Sequence, residues 1–135
     1  ICACIGLGQL EVLDDRVRQR RAVYDTYVKQ LGNISAISFL KELPGHFSNR
    51  WLTTILIDNE QFTRETVRLN LDKARIDARP LWKPMHLQPV YQHAPKYQNS
   101  TSERLFRLGL CLPSGSDLGD NDLDRICNTV FPRTS

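Results

Sequence analysis

Arg79, Trp82, Lys83, His86 and Tyr91 crowd into a single stretch, ARPLWKPMHLQPVY, spanning residues 78–91. Two cationic side chains, an imidazole and two flat rings suit a phosphorylated, ring-bearing ligand. Guanidinium and ammonium groups donate to diphosphate oxygens, and aromatic faces take a base or a sugar. Pro80, Pro84 and Pro89 stiffen the stretch, because proline fixes its own φ and drives the preceding residue toward extended geometry. It forms neither a helix nor a central strand. A stiff loop with this much aromatic surface is the wall of a binding site or the lining of an interface, and binding residues concentrate on such loops.

Little else in the chain offers chemistry. The histidines are His46, His86 and His93, and none stands in an H-E-x-x-H pattern; no G-x-S-x-G elbow occurs. GLGQLE at Gly6 opens like a dinucleotide fingerprint but lacks the third glycine and a preceding strand. Aspartates and glutamates fall on helix caps and exposed faces, so no catalytic centre is expected. Cys2-x-Cys4 is too tight for a zinc knuckle and no histidine lies near Cys111 or Cys127, so no metal site is expected either. The NIS and NST matches at Asn33 and Asn99 stand alone, and reduced, cytoplasmic thiols are the expectation. DDRVRQRR spreads its charges around a helix axis, and the net charge is only +3, which favours a solvated or domain-spanning helix over a nucleic-acid surface. No apolar run approaches the length of a membrane span.

These residues need a scaffold, and 135 residues make one domain with a real core. Leu10, Leu13, Val17, Tyr24, Val28 and Leu31 recur on one stripe, which predicts a long helix over the first third, closed by a left-handed cap at Gly32-Asn33 and supported by an Asp14–Arg18 pair. RWLTTILID, Arg50 to Asp58, is the clearest strand. A helix follows from Thr63, its N-cap, to about Ala74, with Val67, Leu71 and Ala74 inward. Past the proline-rich loop, SERLFRLGLCLP reads as a short helix running into a strand through Gly109. A last helix, capped by Asp120, buries Leu123, Ile126, Cys127 and Val130. Met85, Leu87 and Val90 are expected beneath the loop, whereas Leu81, Trp82, Met85 and Tyr91 supply surface for a ligand or self-association. The order predicts a small two-layer α/β domain: residues 1–32 a linking helix, 33–135 the domain proper. With Ile1 first and Met85 the only methionine, the chain is expected to be part of a longer one.

RPLWKPMHLQPVY, followed by LFRLGLCLPSGSDL, resembles the C-terminal domain of the DegT/DnrJ/StrS nucleotide-sugar aminotransferases. IGLGQLEVLDDRVRQRRAVYDTY resembles the helix that joins that domain to a large cofactor domain, and NRWLTTILID its first strand. The resemblance implies an aspartate-aminotransferase-like, fold type I parent that is a homodimer and uses pyridoxal phosphate. Such a parent takes an amino group from glutamate to a keto group of a nucleotide-linked, UDP-type deoxyhexose, as in the bacillosamine branch. The Schiff-base lysine of that family precedes the linking helix; Lys29, Lys41, Lys73, Lys83 and Lys96 do not match it, so this chain alone is expected to be inactive and to hold no cofactor. The same resemblance gives Arg79, Trp82, Lys83 and His86 as substrate contacts. LPSGSDL, Leu112 to Leu118, is a turn with capping serines. The alternative is a non-enzymatic module that binds a sugar nucleotide or a protein through the loop.

Overall fold

A computed structural model describes residues 1–132. Five helices and four strands run in the order α1 Cys2–Glu11, α2 Leu13–Leu31, β1 Ile37–Phe39, β2 Thr53–Ile57, α3 Arg64–Lys73, β3 Arg79–Pro80, α4 Thr101–Leu108, β4 Gly109–Leu112 and α5 Asp120–Val130. The strands form one antiparallel sheet in the order β1-β2-β4-β3. Alternation in TTILI buries Thr53, Ile55 and Ile57 and leaves Thr54 and Leu56 half-exposed, as period-two geometry requires. Register places Ile37 opposite Ile57 and Ile55 opposite Leu110, so one face of the sheet is apolar.

Three helices cover that face. Val23, Tyr27 and Leu31 of α2, Val67 and Leu71 of α3, and Leu123, Ile126, Cys127 and Val130 of α5 complete a single core with the sheet. The inward residues expected for α3 and α5 are thus the observed ones, with Ala74 half-buried against them. Thr63 caps α3 as its sequence requires, its Oγ1 accepting from Thr66 N at 3.2 Å.

Several expectations need correction. The first third is not one helix: α1 and α2 break at Val12, whose backbone stands at φ −109° and ψ 4°. No residue of α1 is buried. The buried residues of α2 are Val23, Tyr27 and Leu31, while Leu10, Leu13 and Val28 are exposed; of the expected stripe only Leu31 is buried. Gly32 is right-handed rather than left-handed, with φ −67°. Arg18 pairs with Asp15, one residue on from the expected partner. Gly119, not Asp120, is the N-cap of α5, and its amide donates to Asp122 Oδ2 at 3.3 Å. RWLTTILID supplies the second strand of the sheet, since the three-residue β1 precedes it. No described helix is long and apolar enough to cross a membrane.

Candidate functional site

The proline-rich loop leaves the sheet as the edge strand β3, Arg79 opposite Cys111 and Pro80 opposite Leu110. An edge is where proline is tolerated, because its missing N–H faces no partner. Leu81 then packs directly over Gly109 at the α4–β4 junction, where a Cβ would stand 2.1 Å from Leu81 Cδ1 and 2.5 Å from Leu105 O. That close approach explains the glycine between helix and strand. Beyond it, two single 3₁₀ turns, Met85–Leu87 and Pro89–Tyr91, carry the rest of the loop.

Where β2 begins, β4 ends and β3 runs along the edge, a cleft of about 400 Å³ opens. Its walls include Trp51, Trp82, Arg79, Asp77, Cys111 and Ser114. The volume falls within the range of small-molecule sites. Trp51 is 60% and Trp82 66% exposed, and their ring centroids lie 6.3 Å apart with planes tilted by 33°. Two neighbouring, solvent-facing indoles in a concave surface belong to the surface of this domain rather than to its core. Arg79 is paired with Asp77 at 3.1 Å, and both are largely exposed, so the pair is weak and the guanidinium remains open to an anion. Ser114 is committed elsewhere: its Oγ accepts from Thr53 N at 2.7 Å and donates to Leu112 O at 2.9 Å. Burial pushes the Cys111 thiol up from its ordinary range, which keeps it protonated and a poor nucleophile.

Of the four residues expected to contact substrate, the structure brings Arg79 and Trp82 into this cleft. Lys83 is exposed on the loop beside it. His86 lies outside, its side chain 14% exposed and its Nε2 2.7 Å from Glu103 Oε1 of α4. Met85 and Val90, expected beneath the loop, are instead exposed, whereas Leu87 is half-buried and His86 reaches α4 through Glu103. Trp51 is the site residue that sequence reasoning passed over, being counted as part of a strand that begins two residues later. Its signal was that it is the only tryptophan besides Trp82.

The described residues do not by themselves fit pyridoxal phosphate. That cofactor needs a lysine for its Schiff base and a carboxylate for its pyridinium nitrogen. All five lysines are exposed and none borders the cleft.

The sequence profile of the DegT/DnrJ/EryC1/StrS aminotransferase family matches residues 1–131. The chain belongs to that family. EpsN of Bacillus subtilis (strain 168), assigned by name to the pyridoxal phosphate-dependent aminotransferases, is 42% identical over 97% of this chain and 34% of its own length. A GDP-perosamine synthase of Vibrio cholerae is 33% identical over 96% of this chain and 36% of its own. Among solved structures, the aminotransferase TlmJ from Streptoalloteichus hindustanus superposes with a TM-score of 0.83 at 26% identity, over 93% of this chain and 34% of that one. The chain therefore spans about a third of the length of the relatives it matches. The fold is the small α/β domain of a fold type I aminotransferase, as expected from the resemblance.

Proposed function

We propose that this chain is the C-terminal small domain of a pyridoxal phosphate-dependent, cytoplasmic, homodimeric aminotransferase. The parent passes an amino group from glutamate to a keto group of a nucleotide-linked deoxyhexose of the UDP type. The observation that carries the reading is the family match over residues 1–131, in a chain whose five lysines are all exposed and none of them lines the cleft. The Schiff-base lysine then belongs to a large domain N-terminal to this one, and the chain alone is inactive. The cofactor, where bound, supplies the electron sink for amino transfer. The part of this chain is to bind and orient substrate: Trp82 offers a ring face, and Arg79 and Lys83 offer donors to phosphate oxygens. His86, held by Glu103, keeps the loop in place for those contacts.

The test is a titration with pyridoxal phosphate of this chain and of the same chain extended N-terminally in its source gene. A visible absorbance of bound cofactor in the extended protein alone, discharged by glutamate, supports the proposal. An extended protein that binds no cofactor removes it and leaves a non-enzymatic binding module.

A further inference from the structure

In the basic run RQRR, residues 18–21, Arg18 is exposed but Arg20 and Arg21 are engaged within the fold. Arg20 and Arg21 both reach the long connection between β1 and β2, residues 40–52, which carries Trp51 near its end. Arg21 grips Glu42 with two parallel bonds, Nη1 to Oε1 at 3.1 Å and Nη2 to Oε2 at 3.0 Å, the fork geometry that guanidinium and carboxylate favour. Glu42 also accepts from the amide of Ser48 and lies 3.8 Å from Arg50 Nη2. Arg21 Nη1 donates further to Ser48 O at 2.6 Å, and its guanidinium lies 4.5 Å from the Phe47 ring centre. Arg20 Nη1 donates to Trp51 O at 2.5 Å.

Arg50, next to Trp51, stands at φ +50°, a left-handed conformation that costs a side-chain-bearing residue about 1 kcal/mol or more. Its guanidinium sits 3.7 Å from the centre of the Tyr24 ring and donates to Leu40 O, which Tyr24 Oη also reaches. Strain of this kind persists where the surroundings over-determine it, and it clusters at binding sites. Here the strained residue turns the chain immediately before the tryptophan that faces Trp82.

We infer that Glu42 is a positioning residue for the cleft: through Arg21, Ser48 and Arg50 it holds the β1–β2 connection so that the Trp51 indole stands against that of Trp82. The two indoles then form a preset platform for the flat ring of a nucleotide, with Arg79 beside it. The significance for substrate rests on the proposed function; the positioning itself does not. Preorganising a ring surface lowers the ordering cost of binding.

Trp51 and Trp82 are the only tryptophans, so indole signals report on the cleft alone. Two indoles this close couple electronically and give an exciton couplet in far-ultraviolet circular dichroism, which Trp51→Phe and Trp82→Phe each abolish. Glu42→Gln is expected to lose most of that couplet while keeping the helical signal. Asp15→Asn, an equal charge change on α2 where Asp15 pairs only with Arg18, should leave it intact. A full couplet in Glu42→Gln, or none in the wild type, overturns the inference. Should Glu42→Gln fail to fold, Arg50→Gly relaxes the strained φ and removes the Tyr24 contact outside the core; loss of the couplet supports the inference and a full couplet overturns it. Quenching of indole emission by UDP is a separate readout. A couplet that obeys these variants without saturable UDP quenching upholds the positioning and counts against the sugar-nucleotide reading alone.

Discussion

His86 Nε2 lies 2.7 Å from Glu103 Oε1, so a loop stiffened by prolines is also pinned to the first turn of α4. Both side chains are partly shielded, and a bond of this kind contributes on the order of 1 kcal/mol net. A double-mutant cycle of His86→Ala and Glu103→Ala in urea should return a coupling of about that size. Additive losses would show that the prolines hold the loop unaided.

Glu42 has its carboxyl pulled down from an ordinary value of 4.5 to about 2, first by the Arg21 side chain and then by the Ser48 amide. A folded-state value below the unfolded one stabilises the fold above pH 4.5. That stabilisation is lost as pH falls from there through about 2. Urea midpoints of wild type and Glu42→Gln should therefore converge on acidification across this window. A constant gap down to pH 2 would contradict the pairing.

Gly109→Ala should be among the most damaging single-methyl changes, because the new Cβ meets both Leu81 and a backbone carbonyl at Leu105. The side chain can move but the carbonyl cannot without unwinding α4. Overpacking of this type costs about 1–3 kcal/mol. Thermal melting is the measurement, and the paired variant Gly109→Ala with Leu81→Ala should recover only part of the loss.

Tyr27 is fully buried and donates its hydroxyl to Pro113 O at 2.8 Å, tying α2 to the turn beneath the cleft. Burial raises the phenol's pKa, so it stays a donor through the physiological range. Tyr27→Phe leaves that carbonyl without this donor and should cost about 1–3 kcal/mol. A melt unchanged from wild type would mean water replaces the bond.

Removing the α3 cap is a milder test. Thr63→Ala should cost about 1 kcal/mol, and Thr63→Ser should restore most of it.

Where periodicity and burial point the same way, the sequence was readable. LDRICNTV places Leu123, Ile126, Cys127 and Val130 on one face of α5, and all four are buried. Thr63 followed by Arg64-Glu65-Thr66 announces the start of α3. The α2 stripe was only partly legible, because a second set of apolar residues, Val23 and Tyr27, shares that helix and joins Leu31 in the core. β1 is three residues long, too short for alternation to register. Of the residues that line the candidate cleft, Arg79 and Trp82 stood out by residue type. Trp51 and its Glu42–Arg21 support did not, since they join positions about 20 to 30 residues apart through a loop with no regular pattern.

The position of β4 between β2 and β3 has a consequence for synthesis. Residues 53–57 and 79–80 leave the ribosome with no strand to bridge them, and both stay open-edged until residues 109–112 arrive. Because α5 carries four core residues and follows still later, the core cannot close co-translationally on its own first half. A nascent chain halted at Leu108 should thus remain protease-sensitive, and a few further turns of elongation through α5 decide whether the domain exists at all.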